Sequence, residues 1–233
     1  MKIFVCYCCL EDTDSTNEFV IKEFINGIKN YSQGEVNVFF ANLLNYNIEF
    51  CNGSVKPFET GESQCPDDML ILEKEILNSD FVILSSPVYG NNVSGATKVF
   101  LDRITHWTHL FRLLGKFGAV FAVSSNSGAN YTLDYLESIA ESLGLSIVAK
   151  SSFITNEQTR EVIKNILHTK ALLAMSKVNS NEFIISERQE REFQQYKIMF
   201  NEGKGGKNEI SYWTKKHMFE SQSLREHLYR SIE

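Results

Sequence analysis

Apolar side chains in this chain fall into five short runs, separated by longer stretches in which apolar positions return every three or four residues. Residues 1–9 are almost continuously apolar, with Ile3, Phe4 and Val5 at the centre, and polar residues begin abruptly at Glu11. A segment apolar on both faces predicts a central parallel strand. Over residues 16–30 the positions Phe19, Val20, Phe24, Ile25 and Ile28 keep helical spacing, which predicts an amphipathic helix. Residues 36–40 form a second strand candidate, and residues 41–66 hold no sustained period and read as a long irregular connection. Asp67 and Asp68 then stand where carboxylates favour the positive end of a helix carrying Met69, Leu72, Ile76 and Leu77.

The alternation continues to the end of the core. Residues 81–84 predict a third buried strand, broken by Ser85, Ser86 and Pro87, and residues 96–114 a helix. A fourth strand over 117–123 leads through the loop 124–130 to a helix over 131–143, which Gly144 stops. A fifth strand over 146–154 and a helix over 157–178 complete the pattern. Strands alternating with helices predict an α/β fold with a doubly wound, five-stranded parallel sheet of order 2-1-3-4-5, because right-handed crossovers put helices on both faces. Residues 1–178 form this domain. Residues 179–233 form a helical C-terminal extension, with helical patterns over 189–200 and 224–229 and a flexible link at Gly203, Lys204, Gly205, Gly206 and Lys207.

Composition narrows the partners. A net charge of −6 over 233 residues supplies no broad basic surface, which disfavours nucleic acid and anionic membranes and favours a small ligand. With 43% hydrophobic residues and only 3 Pro, the chain can bury a core. The five cysteines are odd in number, and Cys6, Cys8 and Cys9 crowd one strand, so the pattern is not a disulfide framework and points to a reducing compartment. Without an apolar run near the length of a membrane span or a signal-peptide pattern, the expected location is cytoplasmic.

In such a sheet, ligands sit beyond the carboxyl ends of the strands near the reversal of winding, so the loops after strands one, three and four matter. The first ends in Ser15, Thr16 and Asn17 at a helix start, where free N–H groups and short polar side chains suit either a phosphate or ordinary N-capping. The second reads Ser85, Ser86, Pro87, Val88, Tyr89, Gly90, Asn91, Asn92, followed by Lys98, Asp102 and Arg103 on a helix. This segment resembles the flavin loop and following helix of the NADPH-dependent FMN reductase and iron–sulfur flavoprotein families. The third loop, with Ser125, Asn126 and Gly128, is similar to the family segment that closes over the other edge of the ring. The resemblance covers about residues 1–154.

The resemblance implies a flavodoxin-like fold that binds FMN, takes hydride from NADH or NADPH, and passes electrons to a small-molecule or peptide acceptor. The flavin then carries the chemistry without a side-chain nucleophile. Tyr89 and Asn91, with Asn92, are the candidates for the ring environment, and N–H groups around Gly128 for electrostatic support. Lys98, Asp102 and Arg103 are expected to organise the loop or a subunit interface.

Two departures stand out. Glu11, Asp12 and Asp14 replace the glycine and neutral or basic residues common in the first loop, and their screened charges weaken a phosphate contact without forbidding it. Where iron–sulfur flavoproteins carry four clustered cysteines, this chain has Cys51 and Cys65 alone, too few for a four-iron cluster in one chain; they read as two separate thiols or a redox pair. His106 and His109 lack further ligands and read as a helix face rather than a metal site. Two other functions stay open on this fold: an electron carrier that serves protein partners, and a flavin-free binding or assembly protein.

The extension is rich in apolar residues, among them Phe193, Tyr196, Trp213, Phe219 and Leu228, so it must dock. The expectation is an arm that completes a homodimer and partly covers the partner's flavin, with Trp213 as an aromatic lid; docking on its own chain is the alternative.

Overall fold

A computed structural model describes residues 1–10, 15–63 and 65–232. The strands are β1 (Lys2–Tyr7), β2 (Asn37–Asn42), β3 (Phe81–Tyr89), β4 (Asn92–Val93), β5 (Phe117–Ser124) and β6 (Ser146–Ile154). The helices are α1 (Thr16–Tyr31), α2 (Lys56–Thr60), α3 (Met69–Leu77), α4 (Gly95–Arg103), α5 (Ala129–Ser142), α6 (Arg160–Asn179), α7 (Glu187–Asn201), α8 (Lys207–Lys215) and α9 (Leu224–Ile232). Five strands pair in parallel in the order β2-β1-β3-β5-β6, which is the expected 2-1-3-4-5 winding, and the two-residue β4 folds back antiparallel on the tip of β3.

Side-chain alternation on the central strands divides the core in two. Ile3, Val5, Phe81, Ile83, Ala119 and Phe121 face one layer with α1 and α6; Phe4, Cys6, Val82, Leu84 and Val120 face the other with α3, α4 and α5. Gly27 lets α1 and α6 approach closely, since a β-carbon there would stand 2.6 Å from the Ala171 Cβ.

Three expectations for the core elements change. The third strand does not stop at residue 84 but runs through the two serines and Pro87 to Tyr89, because β1 has ended by then (Cys6 pairs with Leu84) and β5 alone continues the ladder to Val123. The irregular connection holds a 3₁₀ turn, Leu43–Asn45, and the short helix α2. The long helix over 96–114 ends at Arg103, and Thr105–Leu110 continues as a 3₁₀ segment that stops at Phe111 in the left-handed region.

The extension packs on its own chain along the edge where the strands begin. Phe183 stacks on Phe117, the first residue of β5, at 4.5 Å, and the Ile184 N–H donates to Oγ of Ser146, the first residue of β6, at 2.7 Å. Trp213 is fully buried, stacked on Phe193 and edge-on to Phe200, and its Nε1 donates to the His109 carbonyl at 2.8 Å. It is therefore a core residue and not an aromatic lid. Within the expected flexible link, Gly205 and Gly206 are packed: Gly205 lies against the Phe200 ring and Gly206 against the Phe58 carbonyl, where any β-carbon would collide.

Candidate functional site

The site is built where the strands end. Ser15 caps α1, accepting the Glu18 N–H at 3.5 Å, while its carbonyl accepts from Phe19. The first-turn N–H groups of Thr16 and Asn17 have no partner within the helix, and the helix dipole adds positive potential there. The Asn17 side chain itself points inward: buried, it donates to the Cys8 carbonyl at 3.4 Å and accepts from the Ser85 hydroxyl at 2.5 Å. Its backbone, not its amide, is what Asn17 offers a ligand. Glu11, Asp12 and Asp14 lie outside the described residues. Asn42, which sequence reading passed over, ties β2 to this loop by pairing with both the N–H and the carbonyl of Cys9, at 3.3 and 2.8 Å. A polar residue closing an apolar strand was its only signal.

Residues 87–93 are a β-hairpin rather than an open loop. Val88 pairs with Val93 and Tyr89 with Asn92, leaving Gly90 and Asn91 as the two turn residues, both with positive φ (58° and 59°). That is the turn chemistry a tight two-residue hairpin demands, and Gly-Asn satisfies it. The Ser86 hydroxyl fixes the base, accepting the Ser94 N–H at 2.9 Å and donating to the Pro87 carbonyl at 2.8 Å. Ser94 in turn caps α4. Tyr89 is left 65% exposed, with its ring available.

The third loop meets the hairpin. Gly128, with φ 81°, caps α5, and a β-carbon there would stand 2.4 Å from the Asn91 amide oxygen and 3.1 Å from Val88. The Ser124 hydroxyl donates to the Ser127 carbonyl at 2.5 Å, the Ser125 carbonyl accepts the Asn156 N–H at 3.2 Å, and the Asn126 amide oxygen accepts from the Asn156 side chain at 2.5 Å. Thus Val88 and Asn91 are brought against Gly128, and Asn17 against the strand that carries Ser86. Ser15, Thr16, Ser125, Asn126, Pro87 and Asn92 lie on the same edge, while Gly90 projects with open space about it. A helix N-terminus, an exposed aromatic hairpin and a glycine without room for a side chain fit the phosphate and ring of FMN.

A buried ion pair ties the end of α4 to the connection that precedes α3. Arg103, at the end of α4, holds both Asp67 oxygens (2.5 and 3.1 Å), the Ser63 hydroxyl (2.8 Å) and the Glu49 carbonyl (2.9 Å). Burial alone would raise the Asp67 carboxyl, but hydrogen bonds from Arg103 and from the Glu49 and Met69 N–H groups override it and hold it at about 2. Burial pushes nearby Glu73 up to about 7, against the pull of Arg103, and its Oε1 has no partner among the described residues. Arg103 therefore organises this connection, whereas Lys98 pairs with Asp102 on the surface. Cys65 donates to Asp67 at 3.3 Å, and no cysteine forms a disulfide. His106 and His109, three apart on the 3₁₀ segment, share a face and both meet the Phe58 ring, at 6.2 and 5.2 Å. Burial takes His106 down to about 4, and His109 pairs with Glu209 at 2.6 Å. Among the described residues, no helix is long and apolar enough to cross a membrane.

Known proteins share sequence and fold with this chain. An iron–sulfur flavoprotein of Archaeoglobus fulgidus is 38% identical over 81 residues, 35% of this chain and 37% of the relative. One of Methanocaldococcus jannaschii is 27% identical over 125 residues, 53% of this chain and 63% of that one. The chain thus spans less than two thirds of either relative. A solved flavone reductase superposes with a TM-score of 0.61 at 15% identity, covering 79% of this chain and 66% of that one, a likeness of fold. A family model described as NADPH-dependent FMN reductase matches residues 1–160, a span that holds every described strand and all three loops, and the chain belongs to that family.

Proposed function

We propose that this chain is an FMN-dependent NAD(P)H oxidoreductase that delivers reducing equivalents to a small-molecule or peptide acceptor. The observation that carries the reading is the meeting of the Tyr89 hairpin with Gly128 on the strand edge that also holds the start of α1. FMN, when bound, supplies the chemistry by accepting hydride from the nicotinamide and passing electrons on. The chain's part is orientation. N–H groups at Thr16 and Asn17, with the Ser15 hydroxyl, hold the phosphate. Pro87 and Ser86 fix the base of the hairpin so that Tyr89, Asn91 and Asn92 border the ring, and Gly128 brings backbone donors close on the other side.

The reading includes a homodimer in a reducing, cytoplasmic setting, supported by five cysteines outside any disulfide and by the exposed Tyr89 and Tyr131 on the site edge. The tail is not its arm, since its large aromatics are used within the chain. Sedimentation velocity tests that part.

The decisive experiment is a visible spectrum of purified, FMN-loaded protein before and after anaerobic NADH or NADPH. Rapid bleaching of the flavin band is expected. FMN binding with slow bleaching by both nucleotides would replace the reading with an electron carrier, and colourless protein that ignores saturating FMN with a binding or assembly role.

A further inference from the structure

We propose that the cleft enclosed by the C-terminal helices binds a small organic anion, an aromatic carboxylate in which a charged head meets a flat apolar body. The cleft, of about 310 Å³, opens between the turn after the 3₁₀ segment, α8 and α9, a volume at the lower end of ligand pockets. Arg112, Lys116, Lys216 and His227 line it, and among the described residues no carboxylate does. In a chain of net charge −6, the three cations Arg112, Lys116 and Lys216 on one cleft, with Asp80 acting on Lys116, leave a net positive potential.

Two of the cations are held in place. The Arg112 guanidinium lies 5.3 Å from the centre of the Tyr212 ring, and it makes no ion pair among the described residues. A guanidinium stacked this way keeps its edge donors for a carboxylate. Lys116 Nζ donates to the carbonyls of Leu77 and Ser79, at 2.9 and 2.5 Å, which leaves one of its three N–H groups. Burial holds His227 below its ordinary range, and Lys216, Arg230 and His217 add to the effect. His227 therefore lines the cleft as a neutral imidazole near pH 7. Leu110, Leu114 and Met218 add apolar lining, which a bare inorganic anion would leave unused.

Position separates this site from the flavin edge. Lys116 precedes β5 and Ser124 ends it, so the two sites stand roughly 25 Å apart along the strand. Lys216, Met218 and His227 also lie beyond residue 160, where the family match ends, so the cleft is a feature of this chain's extension.

The test is calorimetric titration of the full FMN-loaded chain with 2-naphthoate, its neutral isostere 2-naphthamide, and inorganic phosphate. Naphthoate should bind, with naphthamide and phosphate each at least about tenfold weaker, and Lys216→Glu and Arg112→Gln should each lower naphthoate affinity by about tenfold. Lys216 is exposed, so its variant should melt with the parent. Tyr89→Ala, at the opposite edge, should leave naphthoate affinity unchanged. Undetectable naphthoate binding, equal affinity for the amide or for phosphate, or indifference to both basic-residue changes would overturn the proposal. So would loss of binding in Tyr89→Ala, which would put naphthoate at the flavin edge.

Discussion

A β-carbon added to Gly128 would stand 2.4 Å from the side-chain oxygen of Asn91, so the third loop and the hairpin tip close on each other only because one of them carries no side chain. Gly128→Ala should therefore destabilise the protein by about 1–3 kcal/mol, through the collision and the positive φ together. Asn91→Gly in the same chain should return part of that loss, since Asn91 also has positive φ and glycine suits the turn. Urea denaturation of the two single variants and the double variant measures the coupling; additive losses would contradict it.

The Arg103–Asp67 pair sets an acid limit. Asp67 titrates at about 2 in the folded chain, below its ordinary 3.8, so the pair's contribution is complete above pH ~4 and is lost as pH falls towards 2. The depression corresponds to about 2 kcal/mol. Asp67→Asn should flatten stability over that window, whereas Arg103→Ala, which strands a buried carboxylate, should cost about 3–5 kcal/mol at pH 7. Denaturation midpoints between pH 2 and 7 provide the comparison.

Glu73 acts with the opposite sign. Its folded value of about 7 exceeds the ordinary 4.5, so the folded chain holds a proton that the unfolded chain releases, and stability falls as pH rises from about 4.5 to 7. Glu73→Gln should remove that decline and raise stability at pH 8 by about 1–2 kcal/mol, while changing little at pH 4. A variant less stable than the parent at pH 8 would mean that the carboxylate is favourably held.

Trp213 anchors the extension. Trp213→Ala should cost about 3–5 kcal/mol, from the lost burial against Phe193 and Phe200 and the hydrogen bond to His109. Its near-ultraviolet circular dichroism should lose the aromatic signal while the sheet signal remains. Unchanged stability would place the residue outside the core.

Most of the fold was legible because the central strands are buried on both faces, and runs such as Ile3-Phe4-Val5 and Phe81-Val82-Ile83-Leu84 have no competing reading. Strand ends were not. Ser85, Ser86 and Pro87 look like a break, yet Ser85 is satisfied by Asn17 and Ser86 by the Ser94 N–H, so polar residues continue the strand at no cost in unpaired groups. The loops of the candidate site were visible in type and position, since serines, glycines and asparagines punctuate the carboxyl ends of strands. Contacts between loops, such as Asn91 with Gly128, join residues far apart in sequence and leave no local pattern. The same limit governed the extension: periodicity marked α7 and α9 but not α8, and the surface they cover depends on Phe111 and Phe117, whose neighbours no spacing reveals.

Because Phe117 is covered by Phe183, and Phe111 by Phe193 beside Trp213, the order of synthesis matters. All the strands and α6 leave the ribosome before the residues that seal their starting edge. At roughly 5–20 residues per second, the stretch from Asn179 to Leu228 takes a few seconds to emerge. During that interval the nascent chain has a formed sheet with an open aromatic seam, a period in which chaperones have something to hold.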